Sequence, residues 1–316
     1  MPTSRRDRLI AKAAFDHVKN QNFKTSFIEP PSPVSTTSAP SPAVPASPPP
    51  SAAPTSAKEV KSMADKIIGV ERLFVRTLTK IGIIDSELSR IALQAFLAEL
   101  FSHANCGERA LVTLMQLLKR GISAPIEQVV VADSKNPDDN HSFVVVNRTK
   151  TSSMAMPNKY GDIIVVDPRA KVDDIQTYTD AKPLTRKDLQ FSFAADFTIQ
   201  SIIRFEHALT RQDWQKLVKF WQELKSFITE DVVNTILKSS GIPYPNLFVD
   251  IQNKIQREIN ECNNIAYNTE PGNGRMTTLA FSQLFFTPAL PLPREVSTSQ
   301  EMVVQLQQET KCAIGF

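Results

Sequence analysis

The chain is short of cysteine, with only Cys106, Cys262 and Cys312 in 316 residues, far apart in sequence. That spacing argues against a disulfide framework and for a reducing compartment, in which a free thiol survives. Long apolar runs are missing too. Nowhere do about 18 apolar residues follow one another, the length that a membrane-spanning helix needs, so no integral membrane segment is expected. The opening stretch, Met1 to Phe15, lacks the continuous apolar core of a secretory signal. Charge of one sign is scarce: the formal net charge is +3, and residues 1–27 hold six basic side chains (Arg5, Arg6, Arg8, Lys12, Lys19, Lys24) against Asp7 and Asp16. The remainder is near neutral, so no nucleic-acid face is implied. The basic start reads as a solvated tail, with a short amphipathic surface or targeting helix as the alternative. Pro271-Gly272-Asn273-Gly274 lacks the Lys-Ser/Thr of a phosphate loop and is a turn.

At 41% hydrophobic residues the chain can bury the core of one large or two modest domains. Residues 30–57 stand apart, with no charged side chain and ten of the 22 prolines. They cannot bury enough apolar surface to offset their ordering entropy, and a disordered Pro/Ser/Ala-rich linker is expected there, behind a basic N-terminal segment over 1–29. The spacing of Pro42, Pro45 and Pro48 suits a polyproline ligand, although no Arg or Lys flanks it closely.

Val60, Met63, Ile67, Val70, Phe74 and Leu78 recur at helical steps as far as Gly82. Asp85 and Ser86 are cap candidates for a second helix, Leu88 to Phe101. A third begins at Cys106 and stops at Gly121. Ile126–Ala132, His141–Asn147 and Asp162–Asp167 read as strands of a small antiparallel sheet, separated by the polar loops 133–140 and 148–161. From Lys171 onward the pattern reads as mostly helical: Phe197, Ile199, Ile202, Ile203 and Phe205 in one helix, then Trp214–Ile228, Val232–Leu237 and Leu247–Cys262. Trp214, Leu217, Trp221 and Leu224 form a core stripe. These elements divide the chain into a compact α+β core over 58–180, a helical region over 181–287 and a loosely ordered tail over 288–316, with a short helix at Ser299–Thr310.

The chemistry centres on Cys106. Unpaired N–H groups at a helix start carry partial positive charge, which favours a thiolate over a thiol. If strands two and three pair antiparallel with residue 147 facing 161, His141 faces Asp167 at one edge of the sheet. A carboxylate there fixes the imidazole tautomer and leaves the other ring nitrogen for the sulfur. The chain has only four histidines. His17 lies beyond the linker, His207 reads as a structural residue within a helix, and His103 shares a short turn with Cys106, where it can hardly reach the sulfur with a carboxylate behind it.

Asn105-Cys106-Gly107-Glu108 at a helix start, His141 leading a valine-rich strand and Asp167-Pro168 closing the next resemble the papain-like and transglutaminase-like cysteine hydrolases. The likeness spans roughly residues 85 to 170 and is greatest to compact versions among bacterial effector proteins delivered into host cells. It implies a nucleophile-bearing helix packed on a small antiparallel sheet, with Cys106 as nucleophile, His141 as base and Asp167 as orienter. The reaction would be cysteine-dependent amide hydrolysis or acyl transfer on a protein substrate, by a protease or a glutamine deamidase, with neither metal nor organic cofactor. A host protein partner would dock through the linker or the helical region, in a reducing cytosol reached by secretion from a bacterium.

Asn105, Gly107 and Gln94 are the residues read as shaping the site. The pattern also departs from the family, because the Gln that usually precedes the nucleophile by a few residues has no counterpart nearer than Gln94. Arg169 stands where many relatives carry an aromatic. Two other readings remain. One is a non-catalytic helical interaction module with a degenerate papain-like core. The other is a zinc site built from His103 and Cys106 with Cys262, Cys312 or His207, which lacks the paired spacing such sites show.

Overall fold

The computed structural model describes residues 3–24, 57–169, 172–191, 193, 196–240, 244 and 246–269. Most of the Pro-rich linker, the C-terminal tail, Cys312 and the helix expected at Ser299–Thr310 lie outside them. Within them the chain is α+β, with seven α-helices and a five-stranded antiparallel sheet. The helices are α1 (Arg5–Asn20), α2 (Ala57–Lys80), α3 (Glu87–Phe101), α4 (Cys106–Lys119), α5 (Arg211–Phe227), α6 (Glu230–Ser240) and α7 (Leu247–Asn268). The strands are β1 (Ile126–Asp133), β2 (Asn140–Val146), β3 (Ile163–Val166), β4 (Gln176–Tyr178) and β5 (Phe197–Phe205), ordered β4-β3-β2-β1-β5. Among the described residues no helix is long and apolar enough to cross a membrane.

Alternation along the strands creates two cores. Ile126, Val144, Val146, Ile164 and Val166 point into the larger one, shared with the helices. Val129, Val131, Phe143, Val145, Ile163 and Val165 point the other way, under Tyr160, Leu184, Leu189, Phe193 and Phe197. The sheet is therefore covered on both sides, which explains why its middle strands read as nearly continuous valine and isoleucine.

Three expectations are corrected here. The basic start is neither a solvated tail nor a surface helix: Ser4 caps α1 by accepting the Asp7 N–H at 3.0 Å, and Ala11, Ala14, Phe15 and Val18 are buried against the core. Asp7 in turn accepts the backbone and hydroxyl hydrogens of Ser123, each at 3.0 Å, which docks α1 beyond the end of α4. The expected helix at 197–205 is the edge strand β5. Gln128 faces Ile203 and Val129 faces Ser201, so Ile202 is an extra, bulged residue. The bulge shifts the apolar alternation by one place and imitates helical spacing. His207 is accordingly not within a helix but in an exposed bend after β5.

Ion pairs, centred on the largely buried Lys119 and Glu99 side chains, tie the helical layer together. Lys119 on α4 reaches Glu258 and Glu261 on α7, both at 2.8 Å, while Glu99 on α3 takes Lys254 of α7 at 2.8 Å and His17 of α1 at 3.0 Å. Burial pushes the Glu99 carboxyl up, but these hydrogen bonds and the neighbouring lysine charges outweigh it and hold the group at about 2. Its folded value is depressed, so its contribution is present above about pH 4.5 and is lost as pH falls toward 2. Glu99→Gln should cost about 2–3 kcal/mol at pH 7. In urea titrations across the acid range that difference should shrink steadily as the pH is lowered through the same window.

Candidate active site

The turn that delivers Cys106 is built from both sides. α3 ends on Ser102 in the left-handed region, at φ 52°, which swings the chain out of the helix axis. The segment after α1 braces the turn: Lys24 N–H donates to Ser102 O and Ala104 N–H to Lys24 O, each at 3.0 Å. Asn105 then caps α4, and Glu108 closes a capping box by accepting the Asn105 N–H at 3.1 Å. Cys106 is thus the first residue of the helix, and its N–H belongs to the turn that has no intrahelical partner. A Cβ added at Gly107 would meet no atom within 4 Å, so the first turn faces open space there.

β2 brings the imidazole. The β2–β3 register pairs Val144 with Val166, Val145 with Val165 and Val146 with Ile164, two residues away from the pairing expected from the sequence. Asn147, at φ 69°, ends the strand and donates through Nδ2 to Asp162 O at 2.7 Å, closing the loop one step later than a symmetric hairpin would. Because the displacement is even, no side chain changes face. His141 and Asp167 stay on the same side and meet diagonally rather than directly opposite, with His141 Nε2 3.0 Å from Asp167 Oδ2.

With Nε2 given to the carboxylate, Nδ1 is the ring nitrogen left for sulfur, and the Cys106 thiol is near enough to act on the proton affinity of the imidazole. The Cys106 Sγ also lies 3.8 Å from Asn140 O. Asn140 is itself fixed by Nδ2 hydrogen bonds to Pro137 O and Asp138 O. The structure therefore brings Cys106, His141 and Asp167 together. The His141 side chain is largely buried, and burial alone would lower its proton affinity. The hydrogen bonds and charges of Asp167 and Cys106 outweigh that loss and raise the imidazole to about 9.

The remaining residues singled out in the sequence fall as follows. Gln94 is on α3, where its side-chain oxygen accepts from Arg90 at 2.6 Å. His103 is buried, with Nδ1 2.6 Å from Phe101 O, and burial lowers its proton affinity. Cys262 is buried on α7, its thiol pushed up to about 12 chiefly by burial. Among the described residues no three His, Cys, Asp or Glu side chains are grouped to hold a metal ion.

Three contributors went unassigned in the sequence. Arg109 joins the turn before Cys106 to the residue after Asp167. Arg169 lies 2.9 Å from the same Asp167 oxygen that His141 uses. Phe191 places its ring 4.4 Å from the imidazole, centroid to centroid. Arg109 and Arg169 flank the motifs, whereas Phe191 sits in irregular chain with no periodicity to mark it.

The geometry permits one more expected outcome. Gly107→Ala has room for its methyl group and should leave the thermal midpoint unchanged or slightly raised. If the amide hydrolysis implied by the resemblance takes place with substrate along the first turn of α4, kcat/KM on a folded protein should fall about tenfold, roughly 1.4 kcal/mol of lost transition-state binding. Comparison of the chain with protein-family models, with curated proteins and with solved structures finds no match.

Proposed function

We propose that the chain is a cysteine-dependent amide hydrolase or acyltransferase of papain-like or transglutaminase-like type, acting on protein substrates. One observation carries the reading: His141 is held between Asp167, at 3.0 Å, and the thiol of Cys106 at a helix start. In this reaction the Cys106 sulfur attacks an amide carbonyl and a tetrahedral intermediate forms, its oxyanion facing the first-turn N–H of Cys106. His141 donates its proton to the departing nitrogen, the C–N bond breaks and a thioester remains. Water, deprotonated by His141, or a substrate amine then resolves the thioester and returns the proton to the imidazole. Asp167 keeps the ring in the tautomer that faces sulfur throughout. The resemblance to delivered bacterial effectors extends the proposal to host proteins in a reducing cytosol.

The test is mass spectrometry of candidate protein substrates after incubation with the chain and with Cys106→Ala. New termini, or a gain of about 1 Da marking conversion of a side-chain amide to an acid, should appear only with the intact cysteine. Thiol labelling adds a second measure: Cys106 should react near neutral pH much faster than Cys262 and Cys312. Equal labelling of all three, with no substrate change, would instead favour a binding module.

A further inference from the structure

We propose that Arg169 is a positioning residue of this site: through the oxygen of Asp167 that it shares with His141, it sets how readily the imidazole gives up its proton. The inference rests on the cysteine-hydrolase reading for its consequence in catalysis, but its geometry stands separately. Asp167 Oδ2 has two cationic neighbours, His141 Nε2 at 3.0 Å and Arg169 Nε at 2.9 Å. The two contacts differ in kind. Arg169 Nε makes no aligned hydrogen bond, so the guanidinium acts on the carboxylate as a charge and leaves its directional acceptor position to the imidazole.

What holds the guanidinium there is an aromatic ring. Its central carbon lies 4.1 Å from the centroid of Phe191, and Phe191 lies 4.4 Å from the centroid of His141. Arginine, phenylalanine and histidine thus cluster in that order, the two rings tilted by 59°, and the first and last share one carboxylate oxygen. Phe191 occupies φ 37°, a region that β-carbon-bearing residues enter at a cost of about 1–3 kcal/mol, and its ring contacts with His141, Phe143 and Phe193 hold it there. Exposure differs among the charged side chains here: Arg169 is 36% exposed, His141 13% and the shared Asp167 6%. Arg169 is therefore the one of the three that solvent reaches readily.

The groups facing the imidazole can be named by element. α4 supplies Cys106, the end of β3 supplies Asp167 and, past Pro168, Arg169, the neighbouring strand supplies Val131, and the segment before β5 supplies Phe191. Cys106 and Asp167 favour the charged ring. Arg169 opposes them, because it satisfies part of the carboxylate and adds a like charge nearby. A general acid works best when its proton is neither too loosely nor too tightly held. Arg169 supplies the loosening.

The experiment compares Arg169→Met, which keeps an unbranched chain against Phe191 without the charge, with Arg169→Lys and Arg169→Gln. The His141 titration is followed by NMR of labelled imidazole, beside the pH profile of amide turnover. In Arg169→Met and Arg169→Gln the His141 midpoint and the alkaline limb should both rise by about one pH unit, with plateau turnover reduced several-fold. Arg169→Lys should return the midpoint toward that of the parent chain, a rescue that loss of packing alone would not produce. An unmoved His141 midpoint in a folded Met or Gln variant overturns the inference. A midpoint that moves in a chain without amide turnover leaves the inference standing and removes the hydrolase reading, so the two failures are distinguishable.

Discussion

Asp167→Asn should lower the proposed amide turnover by about 10²–10⁴-fold, the range associated with losing a positioned acid–base partner. The substitution preserves shape and can still accept a hydrogen bond from His141 Nε2, so the ring need not move far. What disappears is the charge. Asp167 is 4% exposed and supplies both the hydrogen bond and the strongest favourable charge on the imidazole. Without it, burial regains the upper hand and the His141 midpoint should fall from about 9 toward or below the ordinary imidazole value. Activity should then lose its alkaline shoulder as well as its height. Stability carries the same signature. The folded value of His141 is raised, so the stabilisation from its pairing is complete below the unfolded midpoint, near 6.5, and is lost as pH rises through about 9. Above the range where carboxylates titrate, Asp167→Asn should therefore destabilise most near pH 6 and least above pH 9. Urea unfolding at those two pH values checks the sign, and an equal cost at both would mean that the charged pair does not form.

The helices before and around the nucleophile were legible because each carries its own punctuation. Ser86 caps α3 and accepts the Ser89 N–H, Asn105 and Glu108 frame α4, and Gly121 leaves it at φ 66°. The convergence of Cys106, His141 and Asp167 was legible for a different reason: strand parity survives any even error of register. The pairing read from the sequence was displaced by two residues, yet it put the imidazole and the carboxylate on the correct face. Elements whose pattern depends on tertiary partners were misread, the opening helix having been expected only as a surface alternative to a solvated tail. The apolar stripe of α1 is two alanines, a phenylalanine and a valine, too small to stand out until α4 and β3 are present to cover it. β5 carries its bulge where its register against β1 shifts, between Gln128 and Val129, and local spacing cannot reveal that. Among buried ions, Glu127 is 1% exposed and is gripped by Arg148 at both oxygens and by Arg204 at 3.1 Å. These residues are 21 and 77 positions apart in the chain, and no periodicity joins them.

Arg109→Met should be the substitution that most strongly joins a loss of stability to a loss of function, because one guanidinium closes three segments on each other. Its Nε donates to Ala104 O at 3.2 Å, Nη1 to Pro168 O at 3.3 Å and Nη2 to Phe23 O at 2.9 Å. Those carbonyls belong to the turn before Cys106, to the residue after Asp167 and to the end of the α1 segment, and the guanidinium also lies 5.9 Å from the Phe23 ring. Methionine retains much of the packing volume and none of the donors. Three partly buried carbonyls lose a charged donor at once, a cost of about 3–5 kcal/mol in chemical denaturation once partial hydration is allowed. The proposed turnover, at temperatures where the variant remains folded, should fall about 10–100-fold, since the tie that runs directly between the Cys106 turn and the residue after Asp167 is then gone. Arg109→Lys, which can reach one carbonyl but not three, should fall between. A variant that loses the full stability yet labels at Cys106 and turns over like the parent chain would place the alignment of the site in the α4–sheet packing. A variant that loses both in proportion to the carbonyls released places it in this side chain.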